Sequence, residues 1–380
     1  MIPYASVLPP GIRSRTVPGI NGLDMHVLEA GFPPSDGAPQ RLAILLLHGF
    51  PELAFSWRKV ILPLAQAGYH VIAPDQRGYG RTTGWSADYD GALEPFRVLN
   101  LVRDALGLVN ALGHSSVAAV VGHDFGSPVA AWCAVLRPDV FRACVMMSSP
   151  FGGPPLLPLP AGGVDHVGLA ALPRPRKHYQ AYYGTRPANA DMQHCAQGVH
   201  AFLRAYYHVK SADWQANQPH VLASYAATEM AQMPTYYIMD ADQNMAQTVA
   251  PHMPSATDVA ACRWLTDVEL AVYAEEYQRN GFQGGLQWYR CSAEPCFITE
   301  LQTWAGCTMH VPSMFIAGKS DWGTYQKPGE FEKMQRTACT DMRSVHLVEG
   351  AGHWVQQEQP QKVTAHLLEF LSGLKSKTAA

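Results

Sequence analysis

The stretch with most chemistry in it is 117–127, Val-Ala-Ala-Val-Val-Gly-His-Asp-Phe-Gly-Ser. A β-branched run ends at Gly122, a carboxylate follows at Asp124, and beyond Gly126 lies the helix-forming segment 129–136. Strand, sharp turn and helix, with small residues two positions either side of the central one, is the pattern of a nucleophile elbow. The turn leaves no room for side chains at the flanking positions. It lifts the central side chain off the sheet, beside the free N–H groups of a helix N-terminus. Here the central residue is an aspartate, and a carboxylate in that place attacks carbon to give an alkyl-enzyme ester. On this stretch alone, a plain strand-to-helix turn with a capping aspartate is the alternative.

Two further groups sit in comparable places. Asp321 follows the apolar run 313–317, and His353 lies in Gly350-Ala351-Gly352-His353-Trp354 after the run 344–348. Taken singly, Asp321 reads as a turn-capping carboxylate and His353 as a loop histidine. Taken with Asp124, they give the chain order nucleophile, acid, histidine of the α/β-hydrolase pattern. Gly318-Lys319-Ser320 is not the tail of a phosphate-binding loop, because the required first glycine is Ser313.

These residues need strands that end at one edge of a sheet. Short strands are expected at 14–17 and 25–29, buried strands at 42–47 and 142–147, and further strands at 69–75, 117–122, 313–317 and 344–348. Continuous apolar runs such as Leu42-Ala-Ile-Leu-Leu-Leu47 suit a parallel sheet covered on both faces. Between them, 97–112 places Val98, Val102, Ala105, Val109 and Leu112 on one helical face, with Gly113 past its end. Pro360 opens a last amphipathic helix carrying Val363, Leu367, Phe370 and Leu371. Strands alternating with helices predict an α/β fold with a mostly parallel sheet flanked by helices. Ligands of such sheets sit outside the carboxyl ends of the strands. At Pro150 the character changes to a Pro/Gly-rich linker. The segment that follows is rich in Tyr, Gln, His and Ala. The expected domains are a core of 1–150 and 311–380 and a mainly helical cap inserted at 151–310.

Composition excludes several classes. With 380 residues, 47% hydrophobic and 16% charged, the chain is an ordinary globular one. A net charge of −3 without a basic run gives no reason to expect nucleic acid or an anionic membrane. No apolar run approaches the ~20 residues of a membrane span. The first ten residues lack the pattern of a signal peptide, and Ser376 to Ala380 match no targeting signal. Eight cysteines are too few for a disulfide scaffold and read as reduced thiols in a cytoplasmic protein. Cys291, Cys296 and Cys307 lack the paired spacing of a zinc site, so no metal is expected.

At this point the chain resembles the epoxide hydrolases of the α/β-hydrolase superfamily, over nearly its whole length from about residue 14. The resemblance rests on His48-Gly49-Phe50-Pro51-Glu52, Gly122-His-Asp-Phe-Gly126, Asp321 and Gly352-His353-Trp354. It also rests on two cap stretches, His178-Tyr179-Gln180-Ala181-Tyr182-Tyr183 and Gly285-Leu-Gln-Trp-Tyr289-Arg290. It implies a cofactor-independent enzyme, of a kind used in detoxification, that turns an epoxide and water into a vicinal diol. Asp124 would attack a ring carbon. Tyr179 and Tyr289 would protonate the ring oxygen, with Tyr182 or Tyr183 as alternatives to Tyr179. His353, oriented by Asp321, would then draw a proton from the water that cleaves the ester. The backbone N–H groups of Phe50 and Phe125 would hold the oxyanion. Pro51, Tyr182, Trp322 and Trp354 are candidate substrate contacts. For Trp57, Trp322 and Trp354 core packing is the first reading and a place in the pocket the second. His48 reads as support for the oxyanion turn. The resemblance leaves monomer and homodimer both open.

Two other readings compete. A haloalkane dehalogenase would share Asp124, Asp321 and His353, but it needs donors for the departing halide. An indole N–H commonly follows the nucleophile there, and Phe125 has no donor. A non-catalytic ligand receptor on the same fold would not need a full set of intact catalytic positions. A serine esterase is excluded by Asp124.

Overall fold

A computed structural model of the chain describes residues 6–32, 41–160 and 162–375. The two ends on which the absence of targeting signals was argued, 1–5 and 376–380, lie outside the described residues.

Among the described residues ten strands are present: β1 (Arg13–Ile20), β2 (Leu23–Ala30), β3 (Ala43–Leu47), β4 (His70–Pro74), β5 (Val117–His123), β6 (Cys144–Met147), β7 (Arg176–His178), β8 (Ile238–Asp240), β9 (Ser313–Gly318) and β10 (Met342–Val348). Eight of them form one sheet in the order β1-β2-β4-β3-β5-β6-β9-β10. The β1–β2 and β2–β4 pairs are antiparallel, and every later pair is parallel. The apolar runs of β3, β4, β6 and β9 are buried along their whole length. That is the burial expected when helices cover both faces of a parallel sheet. The chain has the α/β-hydrolase fold, a mostly parallel sheet flanked by helices.

The helices fall close to where the periodicity places them. Helix Val98–Ala111 buries Leu101, Val102, Ala105, Leu108 and Val109, and Gly113 follows in the left-handed region. Helix Pro360–Lys375 buries Val363, Leu367, Phe370 and Leu371. The helix after the elbow, Gly126–Leu136, starts three residues earlier than the apolar segment that suggested it.

Between β6 and β9 the chain leaves the sheet. This excursion holds mostly short helices, with longer ones at Gly198–Lys210, Asp267–Asn280 and Gln283–Ala293. It also holds the antiparallel pair β7–β8, which composition did not suggest. Three-residue strands bury too little to leave a periodic signal. Among the described residues no helix is long and apolar enough to cross a membrane.

Candidate active site

The elbow has the strain its sequence implies. Asp124 sits at φ 53°, a left-handed conformation uncommon for a side chain that branches from a Cβ. A Cβ on Gly122 would collide with the carbonyl of Gly126, and one on Gly126 with the carbonyls of Leu47 and His48. Glycine at both places is what lets the turn close against the end of β3. Asp124 N–H donates to the Met147 carbonyl at 3.1 Å, which ties the turn to β6.

The carboxylate is then held from two sides. Phe50 N–H donates to Asp124 Oδ1 at 2.9 Å, and His353 Nε2 lies 3.3 Å from Oδ2. Burial opposes a charge on Asp124, but His353, then Lys210 and His123, outweigh it and hold the carboxyl far below its usual range. On its other ring nitrogen, His353 Nδ1 meets Asp321 Oδ1 at 3.0 Å. Gly323 N–H donates to the same Asp321 oxygen at 2.7 Å. Burial also opposes ionisation of Asp321, and the neighbouring His353 overrides it, so its pKa is lowered. The three residues that lie 197 and 32 positions apart in sequence (321−124 and 353−321) meet at the carboxyl ends of β5, β9 and β10.

Across from the carboxylate lie the aromatic residues of the excursion. Tyr179 begins the short helix Tyr179–Tyr183, just after β7, and its N–H donates to the Tyr237 carbonyl at 2.8 Å. Tyr289 lies on helix Gln283–Ala293. The first turn of that helix is brought against the loop after β4, where Gly78 and Gly284 leave no space for a Cβ. The Tyr179 and Tyr289 rings are 6.0 Å apart, and Tyr289 also meets the rings of Phe125 at 4.7 Å and Phe50 at 5.5 Å. Both phenols are pushed well above their ordinary pKa, chiefly by burial. For Tyr179 the Asp124 charge adds to this. For Tyr289 the Tyr179 phenol and then the Asp124 charge do. The Tyr179 hydroxyl donates to Gln326 Oε1 at 3.0 Å and accepts from Gln180 at 3.1 Å.

The family described as alpha/beta hydrolase fold matches residues 43–360. Epoxide hydrolase A of Mycobacterium tuberculosis is 34% identical over 96% of this chain and 99% of its own. The chain belongs to the epoxide hydrolases. An epoxide hydrolase of Caballeronia sordidicola is 32% identical over 92% of this chain and 91% of its own. Among solved structures, an epoxide hydrolase from an endophytic Streptomyces superimposes with a TM-score of 0.75 at 30% identity, covering 97% of both chains. Potato epoxide hydrolase I gives 0.72 at 27% identity, covering 95% of this chain and 99% of the potato chain.

Two of the four expected substrate contacts of this epoxide hydrolase need correction. Tyr182 is turned away: its hydroxyl donates to Asp191 at 2.9 Å, and the Lys177 ammonium lies over its ring. On so short a helix, Tyr179 and Tyr183 share the face toward Tyr289, and Tyr182 falls to its edge. Tyr183 spends its hydroxyl on Tyr206 at 3.2 Å. Trp354 packs behind the catalytic loop. Its indole N–H donates to the Tyr207 carbonyl at 2.8 Å, and its ring lies against Tyr207 and His353. Trp57 is fully buried in the core. Trp322 packs its ring on His220 beside Asp321. The Pro51 carbonyl accepts from Tyr207 at 3.0 Å. His48 holds the loop after β3: it accepts from Gln76 N–H at 3.1 Å and faces the Gly49 carbonyl with its other nitrogen. Burial lowers its pKa, in keeping with a neutral ring.

Three residues escaped the sequence reading. Glu52 and His123 lie inside quoted motifs, but nothing in either motif says that they pair, at 2.6 Å. His123 Nε2 faces the His353 carbonyl at 2.7 Å. With oxygen acceptors on both nitrogens the ring suits the imidazolium form. Burial opposes that charge, and Glu52 and Asp124 overcome it, so the pKa is raised. Lys210 ends helix Gly198–Lys210 as a buried ammonium 5.0–5.9 Å from the ring centroids of Tyr206, Tyr236, Tyr237 and Trp354. Cation–π attraction offsets part of the cost of burying it. No spacing rule marks a lone lysine for such a place.

Proposed function

We propose that the protein hydrolyses an epoxide to a vicinal diol through a covalent ester on Asp124, with water as the second substrate. The observation that carries this reading is the elbow carboxylate, held by Phe50 N–H at one oxygen and facing His353 Nε2 at the other. Asp124 Oδ2 attacks a ring carbon while Tyr179 and Tyr289 donate to the ring oxygen, which becomes an alkoxide as the C–O bond breaks. Phenols pushed upward by burial stay protonated until that charge develops. The ester carbonyl is left with Oδ1 at Phe50 N–H, joined by Phe125 N–H as the second donor. His353, aligned by Asp321, takes a proton from water, the hydroxide attacks the Asp124 carbonyl carbon, and the tetrahedral oxyanion collapses to release the diol.

Supports for the dehalogenase reading are missing where they are needed. Residue 125 is Phe, and the nearby Trp288 spends its indole N–H on the Arg77 carbonyl at 3.0 Å. We assign 1–150 and 311–380 to the catalytic core and 151–310 to a cap that brings the tyrosines. Eight free thiols fit a cytoplasmic enzyme.

A single turnover with excess enzyme in heavy-oxygen water tests the ester. The diol should be mostly unlabelled, because its new oxygen comes from Asp124. Fully labelled diol would mean direct attack by water and would end the covalent reading.

A further inference from the structure

The reaction above has no use for Glu358, yet this side chain binds both neighbours of the catalytic histidine. Glu358 ends the short helix Val355–Glu358, and its Oε1 accepts from Trp354 N–H at 3.0 Å. Its Oε2 accepts from Gly352 N–H at 2.9 Å and from Ala212 N–H at 2.8 Å. The N–H between them, that of His353, donates to the Lys210 carbonyl at 2.8 Å. Every backbone donor of 352–354 is therefore fixed, alternately by Glu358 and by the segment 210–212. The two segments touch so closely that a Cβ on Gly352 would collide with the backbone of 210–212. Glu358 is half-buried, and burial pushes its carboxyl up to about 8 against the pull of these three donors. Here all three donors come from the two segments that meet at His353.

We propose that Glu358 is a positioning residue for the second half of the reaction, clamping the catalytic loop to the segment 210–212 and so aiming the His353 imidazole. This rests on the ester reading above. The direction of His353 Nε2 depends on its backbone, on the contact of Nδ1 to Asp321, and on the Trp354 and His123 rings packed beside the imidazole. A shift of about 1 Å in a reacting group can cost about a hundredfold in rate. Glu358 touches none of Asp124, Tyr179 or Tyr289, so alkylation does not depend on it.

Rapid-mixing kinetics and intact-protein mass on Glu358→Gln test this. The substitution keeps the size and puts an amide donor where an acceptor is required. Ester hydrolysis should slow about 10- to 100-fold and alkylation change by less than about threefold, so ester accumulates during turnover. Glu358→Asp keeps the carboxyl group but withdraws it by one methylene, is read the same way, and covers the case in which Glu358→Gln does not fold. Unchanged hydrolysis, or equal slowing of both steps, overturns the assignment alone. If His353→Gln traps no ester, the covalent reading falls and takes the assignment with it.

Discussion

Asp124 is held by backbone, and Tyr289 is held by packing. The carboxylate stands on a turn set by two glycines and a left-handed residue, with one main-chain N–H fixing its rotation. The phenol stands on a helix whose place depends on glycines meeting across 206 residues (284−78) and on rings around it. A backbone-held group has few alternatives to its position. A packed one has as many as its neighbours allow. In the proposed reaction the core carries the covalent steps, which tolerate no displacement, and the excursion between β6 and β9 carries the acid, whose distance from the ring oxygen must suit a substrate.

The sharpest way to separate the two regions is to stop the core chemistry. His353→Gln should abolish turnover and leave alkylation intact. Intact mass should show an adduct of one substrate on the peptide containing Asp124, and Asp124→Ala should show none. An adduct elsewhere would move the nucleophile and dissolve the comparison.

Next in size are the acids. Tyr179→Phe and Tyr289→Phe should each slow alkylation about 10- to 1000-fold, the loss of one donor to a developing alkoxide. The larger effect belongs to Tyr289, because the Tyr179 proton is shared with Gln326. Both phenols have raised pKa values, so the acid form persists above the ordinary tyrosine range near 10. Wild-type alkylation, followed by stopped flow, should not fall as pH rises to about 10. A fall centred below 9 would mean that the acid is a different group.

A smaller effect tests Lys210, a charge that the excursion brings near Asp124. Lys210 helps to hold the Asp124 carboxyl low. In Lys210→Met that pKa should rise, so the ionised nucleophile is lost at a higher pH as acid is added. The acid limb of alkylation should move upward, with less than about a threefold change near pH 7. An unmoved limb would show that Lys210 serves only the aromatic packing.

The smallest effect is expected at Tyr182. Its hydroxyl belongs to Asp191, and Tyr182→Phe should leave both half-reactions within about twofold of wild type. A loss comparable to Tyr179→Phe would return Tyr182 to the site and reverse the correction made above.

What the sequence determined by itself is the frame and the groups tied to it. Continuous apolar runs specify buried parallel strands. Asp124, Asp321 and His353 were legible because each lies within five residues of a strand's carboxyl end, in loops where glycine marks the backbone geometry. Tyr179 and Tyr289 were legible only through resemblance, since 16 tyrosines of one chemical type carry no positional signal of their own. Tertiary structure alone decided that Tyr182 leaves the site, that Trp354 packs behind His353, and that Glu52 pairs with His123. It alone set Lys210 among four rings and Glu358 across the catalytic loop. The physical reason is range. Strand and turn preferences act over a few residues and leave a local pattern. Contacts between groups 71 or 146 positions apart depend on how two segments come to rest against each other, and no local pattern records that.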